Sequence, residues 1–488
     1  MIPARRSRLH PAFVTLALAT VSWIVLFGVL VTRRHDRMGT FDFDLAIHDQ
    51  SIWLLSRLSS FCTIRGLPVF GHHATFGYLF FVPFYWLGAG PNFLNVVHTI
   101  ALASGAVVLY AIARDMRLKP WLATCAGLVW LLNPSVQFFV WETFHPENMA
   151  ATPLLLAYLA FRKRSWRLYW LAVFVALVWK EDVALFVMML GVLVALRGER
   201  RRGLLTSGIA AMWFVAFGMI LVPALAGGGT VYGGLYGDLG STPGAVAKTA
   251  ITDPGKVVER LGDNDATGYV WRINEPFSFV SVVSPLPLIL ALPQAAVNLL
   301  STANFTFDLK YHYQVLPVVA IAIAFVEGFA RIMLTHRVRS RLWAQAAIAT
   351  LVVVFAYNAT QNNGLAPIST NWNTGYWLHR DRFGAEAVRA AIAAIPKDDG
   401  VAASYYVTPH LSHREIDYTY PNPWKNLNYG ISPDDRGDQA KVVWIILDSA
   451  ASSQDDISLY DTLIAKREFV EVSDRDGILV ARRVAPPR

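Results

Sequence analysis

The chain has 488 residues, of which 54% are hydrophobic and 16% charged, and a net charge of +8. An average soluble domain is about 25% charged, so this composition excludes an ordinary soluble globular protein. The positive balance does not call for a nucleic-acid partner, because the basic residues fall mostly in short connections between apolar runs, where a membrane protein records its orientation. The two cysteines, Cys62 and Cys125, have no zinc-type spacing, and the sequence holds neither a phosphate loop nor a dinucleotide fingerprint.

Apolar stretches able to cross a hydrocarbon core of ~30 Å recur along the chain. They cover residues 12–31, 92–113, 121–140, 204–225, 313–330 and 342–357. The first reads as an uncleaved anchor, since its apolar core outruns a signal-peptide h-region. Basic clusters stand at Arg5, Arg6 and Arg8; at Arg114, Arg117 and Lys119; at Arg162, Lys163, Arg164 and Arg167; at Arg197, Arg200, Arg201 and Arg202; and at Arg331, Arg337, Arg339 and Arg341. All are cytoplasmic if the N-terminus is cytoplasmic, which leaves Arg33, Arg34 and Arg37 as outer exceptions. The outer loops are then 32–76, 141–147 and 226–276. Pro285, Pro287 and Pro293 break 277–300 into pieces too short to span, so a re-entrant or broken pair is expected there.

The expectation for residues 1–357 is an α-helical polytopic protein of the cell membrane with roughly nine to twelve membrane helices, re-entrant or broken ones included. Residues 358–488 have the composition of a small soluble α/β domain. Helices are expected over 383–395 and 457–466, and strands over 400–404, 441–447, 469–472 and 477–481. The topology places this domain outside the cytoplasm.

Lys180, Glu181 and Asp182 sit between two apolar arms. Each such charge costs roughly 2.5–3.5 kcal/mol at the centre of a membrane helix, so the triplet needs partners, a cavity or a function. Both arms start from cytoplasmic clusters and reach roughly 18–21 Å, which carries the tip past the midplane towards the outer loops. There Asp42, Asp44 and Asp49 follow the first span, where a carboxylate can act as a general base or hold a metal near a lipid-borne substrate; a helix N-cap is the plainer role for Asp44. His72 and His73 precede an aromatic-rich stretch, and such a pair is more often a polar interfacial belt than a metal site. His145 and Glu147 are candidate ligands or proton carriers, or simply flank a helix start at Pro146. Lys310, Tyr311, His312 and Tyr313 fit a site or a snorkelling belt. One topology brings Asp44, Asp49, His73, His145, Glu147, Lys180, Glu181, Lys310 and His312 to the same outer face. Acids beside bases there suit a transfer reaction, with Lys180, Lys310 and the outer arginines available for a phosphate leaving group.

The segment Phe43-Asp44-Leu45-Ala46-Ile47-His48-Asp49-Gln50 resembles the opening motif of the DUF2079 family of integral membrane proteins. The match continues through His73 before Pro83, Phe144-His145-Pro146-Glu147, Lys180-Glu181-Asp182, Leu292-Pro293, Asn298-Leu299-Leu300-Ser301, His312-Tyr313, Ala403-Ser404 and Pro409-His410-Leu411-Ser412 with Arg414. Ala46 stands where the pattern usually has glycine, and His48 where it has an aromatic residue. That family resembles the GT-C glycosyltransferases. The resemblance implies an inverting transfer of a sugar from a polyprenyl-phosphate donor, in contact with membrane lipid, to an envelope acceptor on the outer face. Asp44 matches the loop carboxylate that serves as general base. Lys180 and Lys310, or His312, would stabilise the departing phosphate, with Glu181 beside them; Asp49, His145 and Glu147 would orient substrates or hold a divalent cation; His73 and Tyr313 would contact substrate. An ion-coupled transporter or flippase using the Lys-Glu-Asp triplet and a non-catalytic envelope-assembly protein are the alternatives. An enzyme requires Asp44, whereas a transporter depends more on the triplet. The topology predicts that a reporter active only in the cytoplasm, fused after Arg488, is silent; activity would mean that 277–300 crosses once.

Overall fold

The structure, a computed structural model, describes residues 10–228, 232–370, 372, 375–432 and 437–484; Arg5, Arg6 and Arg8 lie outside them. Proline opens the helices Pro11–Asp36, Pro91–Asp115 and Pro120–Leu131, a position where its fixed φ and missing N–H cost nothing. The first helix runs beyond its apolar stretch, so that Arg33, Arg34 and His35 occupy its last turn, where cations meet the negative end of the helix dipole. The stretch 121–140 is two helices, Pro120–Leu131 and Pro134–Trp141, bent by 46°. Asn133 makes the break by accepting from the Ser135 N–H at 2.9 Å, one residue beyond Pro134.

Among the described residues five helices are long and apolar enough to cross a membrane, or six if the bent pair is one span. Shorter apolar helices, Trp166–Leu177, Val183–Leu196 and Leu286–Leu299, complete the bundle. The first two are the arms of the hairpin that carries Lys180, Glu181 and Asp182. Residues 277–300 fragment as their prolines require, into short 3₁₀ turns followed by Leu292–Leu299. The helix His312–Leu334 lies at the centre, with 89% of its apolar window buried. Small residues set the close approaches: a Cβ on Gly203 would collide with the backbone of Ala195, and one on Gly328 with the Val280 carbonyl.

The segment after the first helix folds over one end of the bundle. It contains the helix Ile47–Ser56 and an antiparallel hairpin of β1 (Phe61–Cys62) and β2 (Leu67–Pro68). The last helix continues to Asn363 before the chain enters the C-terminal domain. That domain is built on β3 (Gly400–Ala403), β4 (Asp417–Thr419), β5 (Val442–Asp448), β6 (Phe469–Arg475) and β7 (Ile478–Arg483), in the order β4-β3-β5-β7-β6. β3 runs parallel to β4 and β5, and β7 antiparallel to β5 and β6. Alternation divides the sheet between two helices. Val401, Ala403 and Ile446 pack with the helix Ala385–Ala394, while Ala402, Ile445 and Leu447 pack with Gln454–Ala465. Strand β4 was not expected; it is three residues long, too short to show a period.

The domain is fastened to the loop beneath it. Gln50 Nε2 donates to the Arg414 carbonyl at 3.1 Å and to Thr63 Oγ1 at 2.9 Å, and Thr63 Oγ1 donates to the Asp417 carbonyl at 2.8 Å. Asp49, fully buried, accepts from Tyr85 at 2.5 Å and Ser412 at 2.6 Å.

The hairpin tip is held from the same loop. The Gly77 N–H donates to the Val178 carbonyl at 2.8 Å, and a Cβ on Gly77 would run into the Trp179 ring. Gly77→Ala is therefore expected to cost about 1–3 kcal/mol by overpacking, read as a lower unfolding midpoint of the detergent-solubilised chain.

Candidate active site

A cavity of about 560 Å³ opens between the first loop, the hairpin tip and the C-terminal domain. Asp44 reaches it from a π-helical turn, Asp42–Ala46, closed by Ala46 N–H to Phe41 O at 3.4 Å and by Ile47 N–H to Asp42 O. Such wide turns recur at functional positions. Here the turn separates two carboxylates. The Asp44 side chain, 30% exposed, faces the cavity. Asp42 is buried on the side of β4, where desolvation outweighs a hydrogen bond from Thr419 and pushes its carboxyl up to about 6. Asp417 on β4 is raised well above the usual range by burial, although Arg414 opposes the shift.

Behind Asp44 lies a cluster of acids and imidazoles. His145 Nε2 stands 3.6 Å from Asp44 Oδ1 and 3.8 Å from Glu142 Oε1, and its Nδ1 lies 3.4 Å from the Thr143 carbonyl. Glu142 accepts from the His312 backbone N–H and pairs with His312 Nδ1, both at 2.6 Å. His312 Nε2 is 3.4 Å from Glu147. Glu147 in turn takes the Lys180 ammonium at 2.5 Å, and Asp182 lies 3.4 Å from the same nitrogen. Glu181 turns away, pairing with His73 Nδ1 at 2.7 Å and accepting from the Ala74 N–H at 3.0 Å. Each member of the triplet thus has a partner. Burial would lower the His145 pKa, but Glu142, then Asp44 and Glu147, raise it to about 9.

Glu142, His145 and His312 offer one ligand atom each within 4.8 Å of one another. The donor types suit a divalent cation, but their directions do not. The two imidazoles stack, with centroids 3.9 Å apart and planes 17° apart, so their lone pairs lie in separate, nearly parallel planes and do not meet at one point. His312 Nδ1 and Glu142 already satisfy each other. In this arrangement the cluster is a hydrogen-bonded charge network.

Of the residues expected at the site, Asp44, His73, His145, Glu147, Lys180, His312 and Tyr313 line this one cavity, and Glu181 stands directly behind His73. Two do not reach it. Asp49 is enclosed by Tyr85, Ser412 and His413 and links the loop to the C-terminal domain. Lys310 lines a neighbouring cavity of about 610 Å³ and stands 4.0 Å from Asp308. Nor do the exceptional arginines line the cavity. Arg33 is exposed, Arg34 is buried with its guanidinium on the Trp141 carbonyl and 4.5 Å over the Trp141 ring, and Arg37 donates to the Leu378 carbonyl at 2.7 Å. Residues not singled out beforehand also contribute: Glu142, Arg65, His48, Tyr232 and Tyr429. Glu142 was within reach, three residues before His145 in the same segment. Arg65 carried no pattern, because a lone cation in a loop is ordinary.

A bundle of broken and short apolar helices, a folded loop bearing the carboxylate, and a terminal mixed sheet together define a polytopic membrane protein of GT-C-like fold. The chain belongs to the DUF2079 family, described as predicted membrane proteins, whose sequence model matches residues 34–480. No curated protein matches it. Among solved structures it is similar to ArnT from Cupriavidus metallidurans bound to undecaprenyl phosphate, with a TM-score of 0.56 and 14% identity over 97% of this chain and 98% of that one. The apo state of ArnT gives the same score and identity, over 97% of this chain and 99% of that one.

The His145 network carries a pH signature. The folded chain keeps that proton up to about pH 9, whereas an unperturbed imidazole releases it near 6.5. The resulting stabilisation is full below pH 6.5 and is lost as pH rises towards 9. Unfolding midpoints measured across that window should fall for the native chain, and His145→Gln should flatten the decline.

Proposed function

We propose that the chain is an inverting sugar transferase using a polyprenyl-phosphate donor, with Asp44 as general base. The observation that carries this reading is the position of Asp44: a carboxylate open to the cavity, beside an imidazole held charged and within a wall whose other acids are already paired. The acceptor hydroxyl gives its proton to Asp44 as its oxygen attacks the anomeric carbon. The bond from that carbon to the phosphate oxygen breaks, and its electron pair leaves with the phosphate. His145 orients Asp44 from behind, and the Lys180–Glu147 pair stiffens the wall next to it. Phe43, Leu235, Phe305 and Tyr313 supply apolar surface suited to an isoprenoid. A protein of the same fold is known bound to undecaprenyl phosphate, which supports the donor class. The Arg331–Arg341 cluster supports a cytoplasmic opposite end and hence an outer-face reaction. Tyr429 of the C-terminal domain lines the same cavity, consistent with that domain covering it and meeting the acceptor. The paired state of Lys180, Glu181 and Asp182 removes the main motive for an ion-coupled path through the hairpin.

Asp44→Asn keeps the shape and removes the proton acceptor, so sugar transfer from a polyprenyl-phosphate donor should fall by about 10²–10⁴-fold with donor binding retained. Asp42→Asn, whose side chain points away from the cavity, should be far milder. Inactivity of Asp42→Asn with normal Asp44→Asn would reassign the base, and full activity of both would end the transferase reading.

A further inference from the structure

We infer that Arg65 is the anion anchor of this cavity and that the group it holds is a lipid-borne monophosphate, not a pyrophosphate. The inference rests on the transferase reading for the lipid and on the geometry of Arg65 for the anion. Arg65 sits in the turn between β1 and β2, which is rigid. Gly66 adopts φ 71° and donates to the Cys62 carbonyl at 2.8 Å, and the Ile64 N–H donates to Gln50 Oε1 at 3.1 Å. A side chain on Gly66 would need that left-handed conformation and would press on Asn428 at 3.0 Å. The turn therefore holds the arginine in place before any ligand arrives.

The guanidinium is 1% exposed yet lines the cavity. Nη2 donates to the Tyr429 carbonyl at 2.7 Å. Nε and Nη1 are buried with no hydrogen-bond partner of normal geometry, although the neighbouring Tyr232 hydroxyl feels the guanidinium as a donor, and Arg65 pairs with no carboxylate among the described residues. Nη2 spends one of its two hydrogens on Tyr429, so whichever edge of the guanidinium that faces, the other edge keeps both of its N–H groups for a two-point grip. That is the geometry with which arginine takes a phosphate. A buried cation left without a counter-charge is costly, and an arriving oxyanion removes the cost. Its carbon lies 5.7 Å from the Phe43 ring, the side chain next in sequence to Asp44, which places the anion beside the proposed base.

The charge count then selects the anion. The only lysine and arginine side chains lining the cavity among the described residues are Lys180 and Arg65. Lys180 is already matched by Glu147 at 2.5 Å and Asp182 at 3.4 Å, which leaves Arg65 as the sole uncommitted fixed cation of the cavity among the described residues. A pyrophosphate carries additional charge and needs a second cation or a bridging metal, and the Glu142, His145 and His312 lone pairs do not converge on one.

Binding of undecaprenyl phosphate, undecaprenyl pyrophosphate and undecaprenol to the full chain in detergent micelles tests this by native mass spectrometry. The monophosphate should bind more tightly than the pyrophosphate. Arg65→Gln should weaken monophosphate binding on the order of ten- to a hundredfold and leave undecaprenol binding unchanged. Arg65→Lys, which keeps the charge and loses the two-point grip, should fall between. If Arg65→Gln does not fold, Arg65→Lys together with the native preference for monophosphate decides. Unchanged monophosphate binding in the variants, or tighter pyrophosphate binding in the native chain, overturns the inference. Arg65-dependent binding with no sugar transfer would overturn the transferase reading alone; Asp44-dependent transfer with Arg65-independent binding would overturn the anchor alone.

Discussion

The buried ammonium of Lys180 is the constraint around which the site is arranged. A hairpin of two short apolar helices can carry charges at its tip only if other segments bring opposite charges to meet them. Glu147 comes from the turn after Pro134–Trp141 and Asp182 from the tip itself. Taking away one member of such a pair leaves an uncompensated buried charge, a loss of about 3–5 kcal/mol. The turn at 146–150 must therefore lie against the tip, and this fixes His145 and Glu142, one and four residues upstream. His73 meets Glu181 in the same way and brings the first loop down onto the hairpin.

The residues around the cavity then differ by what they are allowed to leave unpaired. Glu142, Glu147 and Glu181 each have a cationic or imidazole neighbour within 2.7 Å. Asp49 spends both oxygens on hydroxyls, and Asp42 is raised by burial. Asp44 remains open on the acidic side and Arg65 on the basic side. Reactive groups are commonly the ones a fold leaves incompletely satisfied, since satisfaction elsewhere supplies the rigidity that holds them.

Much of this was legible in the residues. Apolar length gave the long helices, the prolines of 277–300 gave its fragmentation, and the charges between two short apolar arms gave the hairpin. Alternating patterns located most strands of the C-terminal sheet. What could not be read was which loop residue turns inward. Asp44 and Asp49 lie in one motif and look equivalent, but the π-helical turn points one to the cavity and the helix after it directs the other to Ser412. Lys310 and Arg65 are both lone cations in connecting segments; Lys310 stays half in solvent beside Asp308, whereas the β1–β2 turn buries Arg65. These outcomes depend on contacts between segments hundreds of residues apart, which no local pattern encodes. The bend at Asn133-Pro134 was signalled by its proline, but the hydropathy of 121–140 reads through it.

The Asp49–Ser412 hydrogen bond joins residues 363 positions apart, and the Gln50 and Thr63 contacts to 414–417 span similar intervals. A ribosome delivers the first loop long before it delivers the strands that fasten it. During synthesis the inserted helices therefore precede a finished cavity, and the loop with its carboxylate waits unclasped until the C-terminal sheet has formed. Completion of the cavity is thereby a late event, conditional on the last quarter of the chain having folded against the first loop.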